Sequence, residues 1–106
     1  MADEKIVDII KKYVYLLNKE GFGINKAFLY GSFALGSNSE DSDIDLMLVT
    51  SAIADDDINW KSRAWILTRN IDSRIEPYLV SLDRFIKDEI SPIIETVRRE
   101  GIEIQL

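Results

Sequence analysis

The 106-residue chain contains no cysteine and no histidine, only two prolines, and 13 basic residues against 19 acidic ones. Each shortage excludes something. Without cysteine there are no disulfides and no thiolate metal sites. Without histidine, Ser-His-Asp triads, imidazole general bases and His-ligated zinc fall away together. Catalysis in such a chain has to use carboxylates, hydroxyls, Lys, Arg or Tyr, or a metal held by oxygen ligands. The formal charge of −6 argues against an extended basic surface for nucleic acid, so no nucleic acid is expected as the primary partner. Small anions stay open, because a bound divalent cation reverses the local sign of an acidic site. No apolar run approaches the roughly 18 residues of a membrane span. The opening Met1-Ala2-Asp3-Glu4-Lys5 is acidic where a secretion signal is basic, so the expected setting is soluble and cytoplasmic, without a membrane partner.

What is present is the make-up of one globular domain over residues 1–106, 46% hydrophobic and 30% charged with no low-complexity tract. Residues 3–20 read as an amphipathic helix capped by Asp3, with Ile6, Ile9, Ile10, Tyr13, Val14 and Leu17 at helical spacing and Gly21 and Gly23 at its end. Lys26 to Tyr30 is a short apolar run ending at Gly31, which suggests a buried strand. Residues 43–50 read as a second strand, acid–apolar alternating at first and then apolar throughout, as in a strand covered on both faces. A loop over 51–57 and a helix over 58–71 follow, with Trp60, Ala64, Leu67 and Ile71 on one face. Both Trp residues, Trp60 and Trp65, are expected to be packing anchors. Arg74 to Val80 forms a third strand, placed at an edge or bulge by Pro77. A turn or short helix at 82–87, a helix opened by Ser91-Pro92 and stopped by Gly101, and an alternating tail at 102–106 complete the chain. The fold class is therefore α/β (α+β), a small mixed sheet with flanking helices.

The chemistry concentrates on Asp43 and Asp45. Side chains alternate along a strand, so both carboxylates leave one face while Ile44 and Leu46 turn to the core. Two carboxylates so close repel unless a cation lies between them, and oxygen-only ligands select Mg²⁺, Mn²⁺ or Ca²⁺ over zinc. A Mg²⁺ pair is a known device for in-line attack at phosphorus. An isolated Asp-x-Asp would be an ordinary solvated strand start. Here Gly31-Ser32 comes directly off the preceding strand, offering backbone N–H groups and a hydroxyl to phosphate oxygens. Two other loops fail. Gly31 and Gly36 match the start of a Walker A loop, but Ser37 and Asn38 stand where Lys and Ser/Thr are required. Asp41, Asp43 and Asp45 match the start of an EF-hand, but Leu46 and Ala52 replace its Gly and its bidentate Glu.

Gly31-Ser32, ten residues, then Asp43-Ile44-Asp45 resembles the Gly-Ser…Asp-x-Asp signature of the polymerase-beta nucleotidyltransferase superfamily. Gly-Ser-Phe-Ala-Leu-Gly…Ser-Asp-Ile-Asp-Leu is similar in particular to the minimal nucleotidyltransferases. The resemblance implies an enzyme that transfers NMP, in the first instance AMP from ATP, to a hydroxyl and releases pyrophosphate. It implies Mg²⁺ (or Mn²⁺) held by Asp43, Asp45 and a third carboxylate, with Gly31 and Ser32 at the nucleotide. Glu76 matches the third carboxylate, with Asp72 as competitor at a helix end. Glu76 is preferred, since a strand suits a rigid site and Pro77 holds it extended. Many members carry Arg after Gly-Ser and again before the second Gly, where this chain has Phe33 and Leu35. Lys26, Arg69 and Arg74 are the candidates to compensate, the alternative being that the metal carries the load alone. Minimal nucleotidyltransferases commonly sit beside small helical HEPN proteins, as antitoxin to toxin, and this implies a HEPN partner as AMP acceptor. The alternative is a catalytically weak antitoxin that neutralises a HEPN partner by binding alone. A small-molecule acceptor fits less well, because so short a chain offers few walls for a second pocket. An oligomer is compatible with all of these readings.

Overall fold

The computed structural model of the protein describes residues 3–53 and 57–106. Helix α1 spans Glu4–Lys19 and buries Ile6, Ile10, Tyr13, Val14 and Leu17, the stripe that a 3.6-residue period requires. Asp3 caps it by accepting the Lys5 N–H at 2.8 Å, a contact that contributes about 1 kcal/mol. The chain then turns through Gly21 and Gly23, both at positive φ, into strand β1, Ile24–Tyr30. Strand β2 is Ile44–Thr50, β3 is Ile75–Ser81 and β4 is Ile102–Ile104. They form one sheet in the order β3-β2-β1-β4, with β2 and β3 parallel and the other two pairings antiparallel.

The parallel pair needs a crossover, which helix α3 (Ile58–Leu67) supplies before a 3₁₀ turn at Thr68–Asn70. Helices α1 and α3 cover one face of the sheet, where Leu29, Ile44, Leu46, Leu48, Ile75 and Leu79 join the larger core. The Tyr13 hydroxyl ties the two helices by donating to the Ala64 carbonyl at 2.6 Å, and burial pushes its pKa well up. Helices α4 (Leu82–Lys87) and α5 (Pro92–Glu100) cover the opposite face, where Met47, Val49 and Val80 pack with Ile94 and Val97. Because β2 is covered on both sides, its run Leu46 to Thr50 is buried throughout. Pro77 lies in β3, an edge strand of the sheet, as its missing N–H demands.

Several expectations shift in detail. Strand β1 begins at Ile24, ahead of the apolar run, and the Gly31–Gly36 turn contains one helical turn, α2, at Ser32–Leu35. Trp60 is the anchor expected of it, meeting Phe22 edge-on at 4.8 Å, a geometry worth about 1 kcal/mol. Trp65 is not, since 48% of its surface is exposed. The packed stripe of α3 runs through Trp60, Ala64 and Leu67, which leaves position 65 on the outside of the helix. Ser91 stands at the N-cap of α5 without a capping side-chain bond; Asp88 instead accepts the Ile90 and Ser91 N–H groups. Of the loop expected over 51–57, residues 54–56 lie outside the described residues.

Candidate active site

Register sets the site. Asp45 pairs with Tyr30 of β1 on one side and with Glu76 of β3 on the other, so three adjoining strands contribute one rung. Asp43 stands just ahead of β2, exposed. Glu76 lies within side-chain hydrogen-bonding reach of both Asp45 and Asp43. Burial, followed by these contacts and the neighbouring charges, pushes the Glu76 pKa up to about 7. Asp45 is also raised, first by burial, with the charge of Asp43 adding and the hydrogen bond from Glu76 opposing. Three carboxylates therefore crowd one end of the sheet, on the face shared with Met47 and Tyr78.

Gly31 exists for this rung. Its backbone sits at φ +74, and a Cβ there would lie 2.2 Å from Asp45 Oδ2, so no larger residue fits beside the carboxylate. Ser32 follows, half-buried, as the first residue of α2, and the Gly31 carbonyl receives the N–H groups of Ala34 and Leu35 at 3.1 Å. The two family arginine positions part company here. Phe33 is buried in the larger core, whereas Leu35 is 61% exposed.

Asp72 is engaged elsewhere. It accepts the Arg74 guanidinium at 2.8 Å and the Arg74 N–H at 2.9 Å, and these bonds hold its pKa below the usual carboxylate range. Arg74 reaches on to the Glu40 carbonyl, and Lys26 pairs with Glu103 at 3.7 Å. Two of the three cations considered as substitutes for the family arginines are thus committed to other partners. Sequence reasoning missed Tyr30, whose pKa is pushed up to about 12 by burial and then by the charges of Asp45 and Glu76. Its place as the last strand residue before Gly31, in phase with half-buried Phe28, was the available signal.

The family described as Polymerase beta, Nucleotidyltransferase has a profile that matches residues 4–104. The chain belongs to this family. It is a nucleotidyltransferase, and its mixed four-stranded sheet with flanking helices is the fold of that family. Among solved structures, the chain is similar to a protein of Sulfolobus solfataricus described as a nucleotidyltransferase, with 14% identity, a TM-score of 0.64, and 93% of this chain against 78% of the other. A toxin–antitoxin structure with AMP-PNP is 23% identical with a TM-score of 0.63, covering 93% of this chain and 72% of that one. A variant of the MntA–HpeT toxin–antitoxin is 22% identical with a TM-score of 0.61, covering 90% and 71%. At these identities the likeness is one of fold. No curated protein is significantly similar to the chain.

Nucleotidyltransferases of this family work with a divalent metal and an NTP. Among the described residues no three acidic side chains are arranged as a finished metal cage. The donor set nevertheless suits a hard cation. Asp43, Asp45 and Glu76 offer only oxygen, and none of them is in an ion pair with Lys or Arg among the described residues. Burial first, and then the neighbouring carboxylates, disfavour the charged form of Glu76, which a cation would favour.

Proposed function

We propose that this nucleotidyltransferase transfers AMP from ATP to a hydroxyl of a HEPN-type protein partner, as the antitoxin of a toxin–antitoxin pair acting in the cytoplasm. The observation that carries the reading is the rung of Asp45 and Glu76, with Asp43 beside it, set against a glycine that only Gly can occupy. The fold likeness to toxin–antitoxin proteins, one of them with AMP-PNP, supports the setting and the nucleotide.

Asp43, Asp45 and Glu76 are assigned to Mg²⁺, or Mn²⁺ in its place, and Gly31 and Ser32 to the triphosphate. When bound, the metal neutralises charge on the phosphates and the leaving pyrophosphate. The acceptor oxygen forms a bond to the α-phosphorus as the bond from that phosphorus to the bridging oxygen breaks, and pyrophosphate departs. Glu76, on an edge strand beside Asp45, takes the acceptor's proton. Tyr30 and Tyr78 line the same end of the sheet and limit water at the carboxylates.

Labelled ATP and Mg²⁺ supplied with the HEPN partner test the reading directly. Wild type is expected to label the partner. Asp43→Asn and Asp45→Asn are expected to lower the transfer rate by a factor on the order of 10³ while the complex still forms. No label on the partner with wild type overturns the enzymatic reading. The second reading, neutralisation by binding alone, is favoured by Phe33, which fills core space where the family often has a cation. Neutralisation that persists in the Asp43→Asn, Asp45→Asn double variant would establish it.

A further inference from the structure

Of the three carboxylates, Asp43 alone stands outside a strand. Strand β2 begins at Ile44, and Asp43 is exposed at the end of the polar loop that leads into it. A side chain that ligates a metal has to be held to within about 0.5 Å, so this stretch needs a support of its own. The turn from Ser39 to Ser42 closes on itself, the Ser39 N–H donating to the Ser42 hydroxyl at 2.8 Å and the Ser42 N–H to the Ser39 carbonyl at 3.2 Å. Arg74 ties that turn to the body of the protein. Its guanidinium donates to the Glu40 carbonyl at 3.3 Å, and its own carbonyl receives the Ile44 N–H at 2.8 Å. Asp43 therefore lies between two bonds to a single residue.

Arg74 is itself immobilised. Asp72 accepts its Nε at 3.1 Å and its Nη2 at 2.8 Å, a planar two-point grip that a lysine cannot make. Asp72 is fixed in turn to the crossover, its N–H donating at 2.8 Å to the carbonyl of buried Thr68. We infer that Arg74 is a positioning residue for the metal site: held by Asp72, it sets the loop from Ser39 to Asp43 so that the Asp43 carboxylate stays within reach of Glu76. This rests on the proposed assignment of Asp43 to the metal and names what holds it there. A merely structural role, closing the turn between the 3₁₀ turn and β3, needs the bonds to Asp72 but not the one to Glu40. A purely electrostatic role has the opposite sign. Arg74 is a cation beside an acidic cluster, with Asp41 among the charges it meets. As a charge alone it would repel a divalent ion, and its removal would tighten binding. As a clamp, its removal loosens binding.

Mn²⁺ alone, titrated into the protein and followed by the paramagnetic resonance of the free ion, reads the site without turnover. Wild type is expected to bind the ion, and Arg74→Ala to bind it about tenfold more weakly, as when a group supporting a metal ligand is removed. Arg74→Lys keeps the charge but cannot hold Asp72 and the Glu40 carbonyl at once, and should weaken binding by less. Label transfer should follow the same order, as a rise in the Mg²⁺ needed for half-maximal rate. Arg63→Ala, which loses an ion pair of 2.9 Å to Glu20, is the control for lost stability. Its melting temperature should fall while its Mn²⁺ affinity stays at the wild-type value. Thermal melting confirms that each variant folds. Mn²⁺ affinity that is unchanged or higher in Arg74→Ala overturns the inference and leaves the metal site in place. Should that variant not fold, the same result in Arg74→Lys overturns it. Absence of Mn²⁺ binding by wild type overturns the metal assignment itself, and the inference with it.

Discussion

A single atom decides what position 31 can be. The Cβ of any larger residue would meet Asp45 Oδ2 at 2.2 Å, on a backbone at φ +74 that already penalises side chains. Gly31→Ala is therefore expected to destabilise by about 2 kcal/mol, in the range of backbone strain at such sites, and to displace Asp45. Denaturant melts and the loss of label transfer check the two halves of this prediction. Asp72 illustrates the opposite kind of carboxylate, one satisfied by Arg74 at 2.8 Å. Its folded-state pKa lies below its unfolded one, so the pair adds stability above about pH 4 and loses it as the pH falls through the lower, folded value. Asp72→Asn should cost about 1 kcal/mol at pH 7, given the partial exposure of both partners. The difference from wild type should close in urea melts once the pH has fallen below the folded-state value.

Among the elements, the one-turn helix α2 separates two positions that look alike in the sequence. Leu35 is exposed and Phe33 is part of the core. Leu35→Arg should leave the melting temperature nearly unchanged and lower the KM for ATP by roughly fivefold, the worth of about 1 kcal/mol in a charge-assisted contact. Phe33→Arg should instead unfold much of the protein in a thermal melt, because it buries a cation and removes a core aromatic. Helix α3 teaches a related point. Its packed stripe was legible from Trp60, Ala64 and Leu67, yet Trp65 reads equally well as an anchor in a sequence, where exposure of a large aromatic leaves no trace. Strand β3 was the most legible element, since Pro77 forces an edge position and an extended Glu76.

At the scale of the whole molecule, an acidic protein gathers three of its carboxylates at one end of the sheet with no ion-pair partner among the described residues. Relief by a cation should then be measurable as stability. Mg²⁺ in tenfold excess over its dissociation constant is expected to stabilise the native state by about 1.4 kcal/mol. Chelation should reverse the gain, and Asp43→Asn with Asp45→Asn should abolish it. Thermal-shift measurements with and without Mg²⁺ decide the point, and an unchanged melting temperature would count against a metal at these residues. Among the described residues no helix is long and apolar enough to cross a membrane.

By itself the sequence determined the element order, the two faces of the acidic strand and the pairing of Gly31-Ser32 with Asp43 and Asp45, because these follow from local periodicity and turn chemistry. Only the tertiary structure decided between Glu76 and Asp72 as neighbour of that pair. The choice depends on β2 and β3 lying parallel in a register that sets Asp45 opposite Glu76, while Arg74 turns back onto Asp72. It also brought Tyr30 to the rung and turned Trp65 outward. Register and the choice of helix face are settled by packing between segments far apart in the chain, which no local pattern records.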